Sequence, residues 1–210
     1  MFYKIKERGF MTKTKLAIIY YSQTGVNLSM AKKAKETAEA LGAEVRLRRV
    51  KELLDTSNVI EGSAWDKVIE EEKNIAIATP DDLVWADAII LASPTRFGNV
   101  SSQMKAFIDS LGGVWAEGRL VNKYVTAFTS AQNVNGGQEQ TIRAIYTSAM
   151  HWGSIIVPTG YTDSSIYAQG GNPYGVSATQ DGKVQGESTT NPVMDAVAHQ
   201  TKRLLDLVSK

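Results

Sequence analysis

The sequence predicts a doubly wound α/β domain on a five-stranded parallel sheet. Three observations predict it. Short, almost wholly apolar runs recur at Lys15–Tyr21 (KLAIIYY), Asp87–Ala92 (DAIILA) and Ser154–Pro158 (SIIVP). Runs this short and this rich in branched residues suit strands covered on both faces. Segments with apolar residues at three- and four-residue spacing alternate with them. The loops after the strands are rich in Ser, Thr, Asn, Gln and Gly.

Lys15–Tyr21 is the first strand, and Ser22–Asn27 (SQTGVN) is a turn. Leu28–Leu41 follows as a helix with Met30, Ala31, Ala34, Ala38 and Leu41 inward, stopped by Gly42. Glu44–Val50 alternates apolar and charged residues, as a more exposed strand would. Together they form a βαβ unit whose right-handed crossover makes the strands parallel. Lys51–Asp82 is a poorly patterned connection over one edge, with a helix-like patch at Trp65–Lys73. One helical turn at Leu83–Ala86 precedes the third strand, Asp87–Ala92. Ser101–Leu111 carries Met104, Phe107, Ile108 and Leu111 at helical spacing, and Gly112-Gly113 ends that helix. Tyr124–Phe128 is the fourth strand, with Thr129 at its end and a loop over Ser130–Gly137. A helix over Gln138–Met150 leads to the fifth strand, Ser154–Pro158. Gly160–Asn191 is polar and glycine-rich, a structureless stretch of a length that is usually functional. Pro192–Leu207 is the last helix.

The 210 residues suit one domain, read as residues 15–210 after an extension at 1–14, where Met11 is an alternative start. A hydrophobic fraction of 43% excludes disorder, and a net charge of +1 gives no argument for nucleic acid. The absence of cysteine removes disulfides, thiolate nucleophiles and Cys-ligated clusters. With only His151 and His199, no histidine-rich metal site is expected. No stretch approaches the roughly eighteen apolar residues of a membrane span, and MFYKIKERGF, with charges among its apolar residues and no small-residue cleavage site, is not expected to be a secretory signal. The expected location is therefore cytoplasmic.

In an open parallel sheet, ligands sit beyond the carboxyl ends of the strands. Three polar loops leave those ends: Ser22–Asn27, Ser93–Asn99 and Ser130–Gly137. The first offers the hydroxyls of Ser22 and Thr24, the amide of Asn27, and Gly25 for a tight turn into a helix. A helix start favours a phosphate, and the absence of Lys or Arg suits a modest anion. Neither GxxxxGK[ST] nor GxGxxG is present, which disfavours triphosphates and a Rossmann-bound dinucleotide. The second loop, Ser93-Pro94-Thr95-Arg96-Phe97-Gly98-Asn99, combines backbone donors with an aromatic and a cation. That combination suits a flat heteroaromatic ring bearing developing negative charge. From the residues alone, three ordinary polar turns with a solvated Arg96 remain an alternative. Trp115 equally reads as a core or interface residue, and His151 as a packed helix-end histidine. Asp87 reads as structural and His199 as a surface or partly packed residue.

The motifs SPTRFGN (Ser93–Asn99), QMKAFID (Gln103–Asp109), GGVW (Gly112–Trp115), NGGQEQTI (Asn135–Ile142) and NPYG (Asn172–Gly175) go further. Across about Lys15–Val208 the chain resembles the WrbA-type NAD(P)H:quinone oxidoreductases, a flavodoxin-like family. The resemblance implies strand order 2-1-3-4-5 and non-covalent FMN. The FMN phosphate would lie against Ser22, Thr24, Gly25, Val26, Asn27 and Leu28. The isoalloxazine would rest on Pro94, Thr95, Arg96, Phe97, Gly98 and Asn99. Ser130, Ala131, Gln132, Asn133, Gly136 and Gly137 would cover the pyrimidine end and ribityl. His151 would reach the flavin of a neighbouring subunit, and Trp115 would line the nicotinamide and quinone pocket. Two departures stand out: Thr24-Gly25-Val26 replaces the Tyr-Gly-His of many relatives, and Trp152 stands where a second histidine is common.

The activity implied is a ping-pong one. NADH or NADPH reduces FMN by hydride transfer, and a quinone then takes two electrons. Arg96, His151 and Trp115 are the implied catalytic residues, in a homotetramer arranged as a dimer of dimers. The alternative is a flavodoxin-type electron carrier that docks to redox proteins.

Overall fold

A computed structural model describes residues 13–179 and 191–209. The expectations for residues 1–12 and for 180–190 lie outside the described residues. The parallel sheet runs β2 (Glu44–Arg49), β1 (Lys15–Tyr20), β3 (Ala88–Pro94), β4 (Tyr124–Ala131) and β5 (Ile155–Ile156), in that spatial order. The doubly wound expectation and the order 2-1-3-4-5 are therefore met. From Leu16 through Tyr20 every residue of β1 is buried, as is all of β3, which is why both read as unbroken apolar runs.

Helices cover both faces. On one, α1 (Val26–Ala40) and α8 (Asn191–Val208) pack Met30, Ala34 and Leu204 onto Ile18, Ile90 and Phe128. On the other are α3 (Pro80–Trp85), α4 (Ser102–Asp109) and α6 (Gln138–His151). They set Leu83, Met104, Ile142 and Ile145 against Ile19, Ile89 and Leu91. Period-2 alternation sends alternate residues of each central strand into these two cores. The connection after β2 forms α2 (Ala64–Glu71) and returns to the sheet edge, where Ile77 bridges Arg49. Asp87 is structural as read: its carboxylate accepts from Lys15 N at 2.9 Å.

The structure corrects four boundaries. Gly112-Gly113 does not merely stop a helix, because a short helix α5 (Gly112–Ala116) starts there. Strand β4 continues through Ser130 and Ala131, taking both out of the expected loop. The fifth strand shrinks to Ile155–Ile156: its last bond to β4 runs from Val157 N to Val125 O at 2.8 Å, and the next carbonyl along, Ala127 O, accepts from Gln200 Nε2 instead. The stretch expected to lack structure contains α7 (Ser164–Ala168) and a sixth strand, β6 (Ser177–Thr179).

Strands β5 and β6 share one edge of β4. Tyr124 and Val125 pair with Ile155 and Ile156, whereas Thr129, Ser130 and Ala131 pair with Ser177, Ala178 and Thr179. Gly175 permits the return, because a Cβ there would lie 2.3 Å from the Ala127 carbonyl oxygen.

Candidate cofactor site

The carboxyl ends of β1, β3 and β4 bring three loops around a cleft of about 420 Å³. Ser22, Gln23, Thr24 and Asn27 line it from the first loop, and Pro94, Thr95, Arg96 and Phe97 from the second. The third wall is Ser130, Ala131, Gln132, Asn133 and Gly136. Val26 and Leu28 are buried in the first turn of α1, behind the first loop. Gly98, Asn99 and Gly137 form the support of the second and third loops.

The first loop is a helix start left open. Gly25 takes φ +92°, its N–H donates to Ser22 Oγ at 3.1 Å, and no side chain caps α1. The first-turn N–H groups of a helix have no intrahelical partner. Asn27 is only 1% exposed, and its Oδ1 has no hydrogen-bond partner among the described residues. Such a buried orphan costs about 1–3 kcal/mol unless something else satisfies it.

The second and third loops are pinned together through Thr95. Its N–H donates to Ser130 O at 2.8 Å, while its hydroxyl donates to Gly136 O and accepts from Gly98 N, each at 3.2 Å. Thr141 on α6 adds a donor to that hydroxyl at 2.9 Å. Below them a buried set of hydroxyls fixes the loop ends. Thr129 Oγ1 donates to Ser93 O at 2.7 Å, and Ser93 Oγ accepts from Ser101 N at 3.0 Å. Phe97 stands at the rim, fully exposed at φ +53°, a conformation that costs a non-glycine residue about 1 kcal/mol or more.

Charge and polarity follow from two further contacts. The Arg96 guanidinium donates through Nη2 to Gln23 Oε1 at 2.8 Å and through Nη1 to Thr95 O at 3.1 Å. Beside the first loop, Tyr21 Oη donates to Glu52 Oε2 at 2.8 Å, and Gln103 Nε2 donates to Glu52 Oε1 at 2.6 Å. Burial works to raise the Glu52 carboxyl, but donation from Leu54 N, Gln103 and Tyr21 outweighs it and holds the group below the usual range. Burial raises the Tyr21 hydroxyl, so it stays a protonated donor.

Gln23, Glu52 and Gln103 join the site although the sequence alone does not single them out. Gln23 is within reach of a sequence reading, as one more polar residue of SQTGVN. The other two meet Tyr21 only through long-range packing. Trp115 and His151 stand elsewhere. They line a second cleft of about 320 Å³ with Lys105, Ile108, Thr147 and Trp152, and no residue lines both clefts. Trp115 Nε1 donates to the His151 carbonyl at 3.0 Å, and Trp115 is 52% exposed. His199 bonds Thr162 Oγ1 at 2.7 Å, between α7 and α8, away from the three-loop cleft.

These residues fit FMN. The uncapped helix start suits a phosphomonoester, and the orphaned Asn27 Oδ1, an acceptor, suits a hydroxyl of its polyol. Pro94, Phe97 and Ala131 give apolar surface for a flat ring, and the cleft is in the size range of small-molecule sites.

Comparison with known proteins agrees with this geometry. A profile of the NADPH-dependent FMN reductase family matches residues 14–168. A protein from Deinococcus radiodurans named NAD(P)H dehydrogenase (quinone) is 50% identical over 93% of this chain and 96% of its own. A protein of the same name from Geotalea daltonii is 37% identical over 93% and 97%. A WrbA-like flavodoxin structure from Agrobacterium tumefaciens superposes with a TM-score of 0.63 at 20% identity, covering 93% of this chain and 98% of that one, which speaks for the fold. With a cleft that fits FMN at the flavodoxin-like strand ends, the chain belongs to the NADPH-dependent FMN reductase family, among its WrbA-like NAD(P)H:quinone oxidoreductases.

Proposed function

We propose that this oxidoreductase binds FMN non-covalently in the three-loop cleft and reduces quinones to hydroquinones at the expense of NADH or NADPH. The observation that carries the reading is the buried, unpartnered Asn27 Oδ1 beside an uncapped α1 N-terminus, in the same cleft as the Arg96 guanidinium. The names of the Deinococcus and Geotalea relatives support the substrate class.

FMN, when bound, would supply the two-electron redox chemistry between NAD(P)H and a quinone. The chain's own residues bind and orient. Ser22, Thr24 and the first-turn N–H groups of α1 hold the phosphate, and Gly25 lets the backbone come close. Asn27 satisfies a hydroxyl of the polyol. Thr95 fixes the second loop against the third, so the ring is held between prearranged walls. Arg96 offers fixed positive charge where negative charge develops. Phe97, wholly exposed at the rim, screens the ring from water.

His151 and Trp115 act across a subunit boundary in this reading. They lie on a surface with exposed Met150 and bring an imidazole and an indole to the cleft of a second copy, within a homotetramer built as a dimer of dimers. His151 then supplies a hydrogen bond or a proton during quinone reduction.

The test is direct. The purified protein is loaded with FMN, reduced anaerobically with NADH or NADPH, and mixed with benzoquinone. Rapid bleaching of the flavin spectrum, then full recovery with one hydroquinone formed per nicotinamide oxidised, is expected. FMN binding without reduction by either nicotinamide would instead identify an electron carrier of the flavodoxin type, a reading that Thr24-Gly25 favours.

A further inference from the structure

The first loop contains no Lys or Arg, yet a cation is brought to it from 73 residues away. Arg96 Nη2 donates to Gln23 Oε1 at 2.8 Å, and Nη1 donates to the Thr95 carbonyl at 3.1 Å. Both acceptors are neutral, and among the described residues Arg96 forms no ion pair. A guanidinium has five N–H donors, so these two contacts leave others for a ligand. Arginine has no acceptor, which fixes the Gln23 amide with its oxygen toward Arg96. The Gln23 Nε2 makes no hydrogen bond among the described residues, and the residue lines the cleft.

The choice of an amide has a physical consequence. A carboxylate at this position would hold the guanidinium equally well but would cancel its charge. The amide orients the guanidinium and leaves the charge in place. The same bond ties the loop after β1 to the loop after β3, so the walls expected at the phosphate end and the ring end become one unit.

We infer that Gln23 is a positioning residue of the flavin site: it holds Arg96 across the cleft mouth, locks the first two loops together, and keeps the arginine charge available to the bound cofactor. The inference rests on the FMN reading above. It requires that the influence of Gln23 on the cofactor pass through Arg96.

The experiment is a double-mutant cycle on the full-length protein, with Gln23→Met, Arg96→Met and the double variant. FMN dissociation constants are measured for the oxidised cofactor by fluorescence and for the reduced cofactor through the bound midpoint potential. The phosphate carries the same charge in both oxidation states, so its contribution cancels in the ratio of the two constants. Gln23→Met is expected to weaken oxidised FMN by up to about tenfold, the cost of ordering a freed arginine side chain when the cofactor binds. It is also expected to shift the ratio against the reduced form. In the Arg96→Met background the same substitution should change neither quantity. Gln23→Asn, one methylene too short to reach Arg96, should reproduce Gln23→Met and serves if that variant fails to fold. A Gln23 effect that persists undiminished without Arg96 overturns the inference, as does unchanged FMN binding and potential in both Gln23 variants. Failure of the wild-type protein to bind FMN is a separate result, visible before any variant is made, and overturns the FMN reading itself.

Discussion

Gly137 stands so close to Gly98 that a methyl group on Gly137 would lie 2.6 Å from the Gly98 Cα. The second and third loops of the cleft thus meet backbone to backbone. Gly137 also takes φ +92°, a left-handed conformation that side chains rarely adopt. Gly137→Ala therefore has to push the two loops apart and strain its own backbone. The expected cost is about 1–3 kcal/mol of stability, with FMN affinity lowered at least about tenfold. Thermal unfolding and fluorescence titration check this, and a variant matching wild type in both would show the contact to be soft.

Asn27 leads to a prediction with opposite signs in two states. Without flavin its buried Oδ1 is a cost, so Asn27→Leu, similar in shape, should leave the flavin-free protein as stable as wild type or more so. With flavin the lost hydrogen bond should weaken FMN about tenfold. Melting curves with and without FMN separate the two. A flavin-free variant that melts well below wild type would place the value of Asn27 in the fold instead of the ligand.

Glu72, next to the first loop's supporting strand, makes stability depend on pH. Burial pushes its carboxyl up to about 7, against the lowering effects of the Tyr20 hydroxyl and the Arg49 guanidinium, while Glu71 and Glu52 add to the rise. The folded state thus binds a proton more tightly than the unfolded chain, whose ordinary value is 4.5. The stabilising contribution is complete below about 4.5 and is lost as pH rises through about 7. Glu72→Gln should gain on wild type across that window, ending on the order of 2 kcal/mol more stable at pH 8. Denaturant unfolding from pH 4 to 8 measures the difference. Parallel pH profiles for the two proteins would rule the assignment out.

The surface around Trp115 and Met150 carries the oligomer proposal. Both are more than half exposed, and Trp115 is anchored through its bond to the His151 carbonyl. Met150→Glu places a charge in that apolar patch and should convert the proposed tetramer to a smaller species, with quinone turnover falling while FMN stays bound. Sedimentation velocity and the bound-flavin spectrum give the two readouts. An unchanged sedimentation coefficient would move the interface elsewhere.

The parts of the fold legible in the sequence are those governed by burial. Strands β1 and β3 are covered on both faces, so their apolar runs could hardly be anything else. Helix α4 shows its periodicity because one stripe, Met104, Phe107 and Ile108, is buried. Strand β6, Ser177–Thr179, has no such signature: three small residues become a strand only because β4 offers them an unpaired edge. The same edge explains why Ser130 and Ala131 read as loop and fold as strand. In the site, polar loop composition points to the three loops that line one cleft, since strand ends and their residues are local in sequence. The bond between Gln23 and Arg96, and the meeting of Tyr21, Glu52 and Gln103, join distant positions whose spacing carries no pattern.

The shared edge of β4 separates two properties that a single long strand would bind together. The excursion between β5 and β6 leaves the ladder and rejoins it, so each of its ends is held by its own pairs. Its length can change without shifting the register on either side. The cleft meets the returning segment through the pairs Thr129–Ser177, Ser130–Ala178 and Ala131–Thr179, and through Gln138, whose Nε2 donates to both Thr179 Oγ1 and Asn133 O. Added chain is best tolerated in the exposed part of this excursion, since Ile166 and Val176 are anchored in the core and Gly175 must still bring the returning backbone against Ala127.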